Sequence, residues 1–127
     1  MERFLWIGVA GACGTWTRYL VGLWVARIVG TAFPYGTLLV NAGGCFLFAA
    51  IMHVALSTTL VAPTLRLALT TGYLGGLTTY SSFNYETTKL AQDVSWGRGL
   101  VNLVVTTVCC VLAGLSGHLV ARRFMGV

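Results

Sequence analysis

The sequence predicts an all-α integral membrane protein: four transmembrane helices in one domain, with a break in the third. Three observations predict it. Of the 127 residues, 57% are hydrophobic and only 9% are charged, and the mean hydropathy is +0.82. A soluble domain carries roughly 25% charged residues, so this composition leaves too little polar surface to face water. At about 20 residues per span, the length predicts a single domain over 1–127: four spans, short connections and no soluble part. Finally, the greasy sequence is interrupted at its centre by Gly72-Tyr-Leu-Gly-Gly-Leu-Thr-Thr-Tyr-Ser-Ser-Phe-Asn-Tyr-Glu86. Glycines followed by hydroxyl and aromatic residues disfavour a continuous helix, since each interior Gly costs about 1 kcal/mol relative to Ala.

The first apolar stretch runs from about Phe4 to Val29 and is predicted to be an uncleaved span. Gly8, Gly11 and Gly14 recur every three residues on it, forming a small-residue face that lets another helix approach. Arg18 lies well inside this span. Gly30-Thr-Ala-Phe-Pro34 then reads as a turn, because proline removes a backbone donor. A second span is predicted from about Tyr35 to Leu60, with Asn41, Gly44 and Phe48 on one face at i, i+3 and i+7. Pro63 suits the first turn of the third helix. That helix is expected to run to Leu74, break over Gly75 to Thr79, and resume to about Gln92. A fourth span is predicted to follow Ser95-Trp-Gly-Arg-Gly99 and end at Arg122-Arg123, carrying Asn102, Thr106, Thr107, Ser116 and His118.

Irregular backbone at membrane depth is tolerated only where protein or a water-filled cavity surrounds it. Broken helices there often mark ion or substrate sites, their free carbonyls suiting a cation and their N-termini an anion. The four cysteines (Cys13, Cys45, Cys109 and Cys110) lie in apolar stretches without C-x-x-C spacing and read as buried small hydrophobes. The net charge of +5 is dispersed without a basic run, which excludes nucleic acid as a natural partner.

If the N-terminus, the loop near residue 60 and the C-terminus share a side, that side carries Arg3, Arg66, Arg122 and Arg123. The other carries Arg27, Lys89 and Arg98. Orientation follows a clear Lys/Arg excess, and four against three is barely one. Two topologies stay open: one weakly fixed orientation, or insertion both ways with pairing as an antiparallel dimer.

Ionisable residues within the spans are functional candidates by default: Arg18, His53, Glu86 and His118, with Lys89 near an end. The two histidines read as interfacial or packed, and no pair has the sequence spacing of metal ligands. No nucleophile and base are arranged interpretably and no phosphate-binding loop is present, so the chain is not predicted to be an enzyme. Transport or conduction of a small solute is the natural class. Tyr80 and Phe83 lie three apart, so their rings meet on one helix face. Ordinary aromatic packing would explain them. So would anion binding, because an aromatic ring is positive at its edge and a neighbouring Asn41 amide or hydroxyl could replace lost water.

Three stretches together resemble the Fluc (CrcB) fluoride channels. They are Gly11-Ala-Cys-Gly-Thr-Trp-Thr-Arg-Tyr19, Gly36-Thr-Leu-Leu-Val-Asn-Ala-Gly-Gly-Cys-Phe46, and the central Gly72–Glu86 run. The resemblance implies an antiparallel, dual-topology homodimer in the bacterial plasma membrane. It would have two fluoride pores, a structural sodium ion at its centre, and a role in fluoride resistance. By motif position, Asn41 is the pore asparagine, and Tyr80 and Phe83 stand at the two positions of the family's phenylalanine box. Ser81, Ser82 and Asn102 fall on the polar track, while Arg18 and Glu86 belong to the vestibule. The backbone carbonyls of Gly75 and Thr78 would hold the sodium. Two positions depart from the pattern: Tyr80 replaces the usual phenylalanine, and Ala49 a common glycine.

The main rival is a small four-helix, proton-coupled exporter of cationic drugs. Such a protein needs a membrane-embedded carboxylate, typically in its first helix. Here the first span holds Arg18 and no acid in its interior, and Glu86 lies late in the third. A membrane subunit without transport would leave Asn41 and the central break unexplained.

Overall fold

Residues 1–126 are described by a computed structural model and, among them, form only helices, turns and short connections. The elements are α1 (Glu2–Val29), α2 (Tyr35–Ser57), α3 (Pro63–Leu67), a π-helical segment (Ala68–Leu74), α4 (Gly75–Leu77), α5 (Tyr80–Asp93) and α6 (Trp96–Met125).

The boundaries follow local chemistry. Gly30 ends α1 at φ 79°, a left-handed conformation that costs glycine nothing. Pro63 occupies the first turn of α3, where its missing N–H leaves no bond unmade. Thr79 caps α5 by accepting from the Ser82 amide, and Ser95 caps α6 by accepting from the Arg98 amide. Each cap satisfies an amide that has no partner inside its helix. The second helix ends at Ser57, before the expected Leu60, where the Thr58 hydroxyl turns back onto the Val54 carbonyl. Residues 68–74, expected as α-helix, are wound as a π-helix. Nothing in the spacing of their apolar residues signals the wider winding.

Among the described residues, two elements are long and apolar enough to cross a membrane, Tyr35–Ser57 and Trp96–Met125; their most apolar stretches reach mean hydropathies of 1.9 and 2.0. Alpha1 has comparable length but carries Glu2, Arg3, Arg18 and Arg27, while the third expected span is divided into short pieces. Much of α6 is outwardly apolar; Val101, Val104, Val108, Leu112 and Leu115 are all exposed. Such a surface suits lipid or another apolar partner.

Helices approach along glycine seams. A Cβ on Gly14 would collide with the Tyr73 carbonyl, and one on Gly76 with the Gly11 carbonyl, so α1 lies directly on the third-span segments. Gly8, expected on the same face, meets nothing within 4 Å. Gly117 similarly seats α6 against the backbone of Phe46. The helices α2 and α6 run in the same direction, since Cys45 lies beside Gly114 and, further along both, His53 beside His118. The apolar core is small: Val40, Leu74 and Leu77, packed by Val21, Ile51 and Tyr73. Polar Asn41, Thr70, Asn102 and Thr106 are also buried. The expectation of buried thiols fails at Cys13, which is exposed because its face of α1 points away from the other helices; Cys45, Cys109 and Cys110 are half-buried.

Candidate functional site

The site is built around two residues that leave helical geometry. Thr78 (φ −80°, ψ 153°) and Thr79 (φ −151°, ψ 112°) are extended between α4 and α5. Asn41 of α2 grips this turn from the side. Its Oδ1 accepts from the Thr79 amide at 2.7 Å, and its Nδ2 donates to the Thr79 carbonyl at 3.1 Å. Both backbone groups of Thr79 are thereby paired at a half-buried turn that lies outside regular helix.

This clamp has a consequence for the carbonyls around it. In a continuous helix the Thr79 amide would donate to Gly75 and the Ser82 amide to Thr78. Here the first is diverted to Asn41 and the second to the Thr79 hydroxyl, at 3.2 Å. The Gly75 and Thr78 carbonyls therefore lose their helical donors. That of Gly76 is used differently, accepting from Arg18 Nε at 3.1 Å.

On one side of the turn lies a groove of about 450 Å³. Asn41, Gly44 and Phe48 of α2 share its wall, as their spacing predicts, with Gly75, Thr78, Tyr80 and Phe83 opposite and Thr106, Thr107 and Cys110 from α6. The Tyr80 and Phe83 rings meet at 5.8 Å between centroids and 61° between planes. Phe83 is buried and Tyr80 is 80% exposed, so one ring is fixed by packing while the other stands at the mouth.

On the other side is a cavity of about 260 Å³ lined by Arg18, Thr37, Thr79, Ser82 and Glu86, among others. Glu86 Oε1 accepts from the Thr37 hydroxyl at 2.8 Å, while its Oε2 is buried with no hydrogen-bond partner in the structure. A larger space of about 500 Å³ continues past Glu86 to Lys89, Asp93 and Arg98. Thr79 borders both the groove and the Arg18–Glu86 cavity.

The structure thus gathers Asn41, Tyr80, Phe83, Gly75 and Thr78 at the groove, and Arg18, Ser82 and Glu86 at the cavity beyond it. Ser81 is exposed, within 3.4 Å of the Thr79 hydroxyl. Asn102 lines neither space. It is buried between α5 and α6, where its Nδ2 donates to Thr87 at 2.7 Å and its Oδ1 accepts from the Thr106 hydroxyl at 3.2 Å. Thr106 is the member of that chain that reaches the groove. Two contributors escaped sequence reasoning. Thr79 had a readable signal, a threonine just before a resumed helix. Thr37 had none, since its role depends on a partner 49 residues away.

A family model described as CrcB-like protein, Camphor Resistance (CrcB), matches residues 5–118. The chain belongs to the CrcB family. Its similarity to individual members runs nearly end to end. It is 53% identical to the fluoride-specific ion channel FluC of Sorangium cellulosum (strain So ce56) over 125 residues, covering 98% of both chains. To the protein of the same name from Citrifermentans bemidjiense it is 43% identical over 122 residues, with 96% of this chain and 98% of the relative covered. To that of Anaeromyxobacter sp. (strain K) it is 44% identical over 126 residues, covering 99% and 100%. All the residues of the groove and the Arg18–Glu86 cavity fall inside the stretch that the CrcB model matches.

Proposed function

We propose that this chain is the subunit of a fluoride-selective ion channel that lets fluoride leave the cell passively, and that it has no enzymatic activity. One observation carries the reading, in a chain whose relatives bear the fluoride-channel name. Thr79 stands between a polar, charged cavity and an aromatic-walled groove, so the two form successive stations for a small anion. At the first, the Arg18 guanidinium supplies positive charge. At the second, one Nδ2 hydrogen of Asn41 remains after the other is given to Thr79, since an amide has two. The positive edges of the Phe83 and Tyr80 rings and the Thr106 and Thr107 hydroxyls complete the replacement of water. Without such donors, stripping water from a small anion is prohibitive.

In the assembly we infer, four spans per copy cross the plasma membrane of a bacterium with a break in the third, and two copies pair antiparallel around two pores. The nearly even distribution of Lys and Arg supports insertion both ways, and the long apolar exterior of α6 supports burial in lipid and against a second copy. A sodium ion is proposed at the centre of the pair. The Gly75 and Thr78 carbonyls fit this role, because both have lost their helical donors and hard cations take oxygen ligands. When bound, the ion would join the two copies through these oxygens. Ser81 and Asn102 are proposed to support the polar track, Asn102 by orienting Thr106.

A passive pore suffices for export. Hydrogen fluoride enters neutral and ionises in the less acidic cytoplasm, while a negative-inside potential of 100 mV drives each anion outward with about 2.3 kcal/mol. Nothing favours the drug-exporter alternative: the acid of the site, Glu86, is half-buried and shares its cavity with the cationic Arg18. Efflux from liposomes holding the purified protein, read with a fluoride electrode and repeated with chloride, tests the proposal. Rapid fluoride release with negligible chloride release is expected. No fluoride release from folded protein in sodium-containing buffer would reject it.

A further inference from the structure

At the far end of the shared α2–α6 wall, away from both stations of the ion path, two histidines meet. His53 of α2 and His118 of α6 have ring centroids 4.7 Å apart and planes at 87°. They are 65 residues apart in sequence, so no spacing rule could have joined them. Two further facts set the pair apart from ordinary packing. His53 Nε2 is buried and has no hydrogen-bond partner, an expensive arrangement for a polar atom. The ring beside it, His118, is exposed.

We propose that His53 and His118 form an open, two-histidine binding site for a late first-row divalent cation such as Zn²⁺, Ni²⁺ or Cu²⁺, with water completing the coordination. Imidazole nitrogen suits these ions. A tetrahedral ion held about 2.0–2.1 Å from one nitrogen of each ring places the ring centres roughly 5 Å apart. The observed 4.7 Å lies close to that value. Bringing the second nitrogen onto the ion takes a turn of an imidazole about χ2, a broad and soft torsion. Among the described residues no third His, Cys, Asp or Glu joins the pair. The site therefore lacks the full protein ligand set of structural zinc, and its ion exchanges.

Water is available where the pair sits. His53 lies four residues before the end of α2 and His118 seven before the end of α6, about 6 and 10 Å from the helix ends at 1.5 Å per residue. Alpha6 has 30 residues and is about 45 Å long, against a hydrocarbon core of about 30 Å. That places the imidazoles near the edge of the core. A bound ion would tie the ends of the two helices that wall the groove.

The test uses the full-length protein, with any affinity tag removed, titrated with NiCl₂ by calorimetry and with Co²⁺ by absorption spectroscopy. One ion per protomer is expected, with a d–d spectrum lacking thiolate charge transfer. Saturating Ni²⁺ should raise the thermal transition, as any ligand of the native state does. His53→Phe and His118→Phe keep an aromatic ring at each position and should each abolish both binding and the thermal shift while fluoride flux persists. Should His53→Phe fail to fold, His118→Gln, at the exposed position, carries the same expectation. Absence of binding to the wild type, binding unaltered by loss of His118, or a thiolate band assigning the ion to the cysteines would each overturn the site.

Discussion

Replacing Asn41 by leucine separates its two roles, holding the Thr78–Thr79 turn and facing the groove, from simple space filling. Leucine has nearly the same volume but neither of the bonds to Thr79, at 2.7 and 3.1 Å. Each buried backbone group left without a partner costs about 1–3 kcal/mol, giving a total of about 2–6 kcal/mol. Thr79 is only half-buried and water can reach part of it, so the lower portion, about 2–3 kcal/mol, is the better expectation. At roughly 1.4 kcal/mol per factor of ten, the extended turn should open about 30–150 times more often. Hydrogen exchange at the Thr79 amide reads this directly, and fluoride efflux from liposomes should fall in parallel. Asn41→Asp retains an acceptor for the Thr79 amide but sets its second oxygen against the Thr79 carbonyl. About half the loss of protection is expected, with conduction still impaired because a donor has become an acceptor. A Thr79 amide equally protected in wild type and Asn41→Leu would refute the clamp.

The ring pair gives a contrasting set. Phe83→Ile keeps most of the burial and removes the ring edge, so efflux should drop severely while the protein remains folded; undiminished flux would reject an aromatic role. Tyr80→Phe alters only an exposed hydroxyl and should leave flux near wild type, and a folded but inactive variant would make that hydroxyl essential. For packing, Gly14→Ala drives a methyl into the Tyr73 carbonyl, a backbone atom that cannot swing aside. A loss of about 1–3 kcal/mol is expected from such overpacking, against no more than about 0.5 kcal/mol for Gly8→Ala, whose Cβ meets nothing within 4 Å. Equal thermal transitions for the two variants would refute the seam.

What was legible in the sequence was what composition and short-range periodicity encode. Helix starts at Tyr35 and Pro63, the shared face of Asn41, Gly44 and Phe48, and the meeting of Tyr80 with Phe83 all follow from spacing within a turn or two. Illegible were features set by partners distant in sequence. Thr37 gains its role from Glu86, Asn102 is placed behind Thr106 by Thr87, and His53 finds His118 only once α2 and α6 lie side by side. Gly8 sits in the same three-residue series as Gly11 and Gly14, yet only the latter two approach the third-span segments. A repeat specifies a face, and the crossing of two helices decides how much of that face is covered. The π-helical winding of residues 68–74 belongs with these, since apolar spacing reports which side of a segment is buried and is insensitive to one extra residue in a turn.

Asn41 also explains why the proposed anion groove and the carbonyls without helical donors occur within a few residues of each other. Pulling the Thr79 amide onto Asn41 Oδ1 takes the helical donor from Gly75, and capping α5 with the Thr79 hydroxyl takes the donor from Thr78. The same departure starts a new helix beside the groove, with Tyr80 and Phe83 in its first turns and among the groove's lining. Oxygens suited to a hard cation and ring edges suited to a small anion are thus two products of one local departure from helical bonding. Loss of the Asn41 clamp should therefore weaken both together, so Asn41→Leu protein should lose sodium-dependent thermal stabilisation along with fluoride flux. Phe83→Ile, which leaves the turn intact, should lose the flux alone.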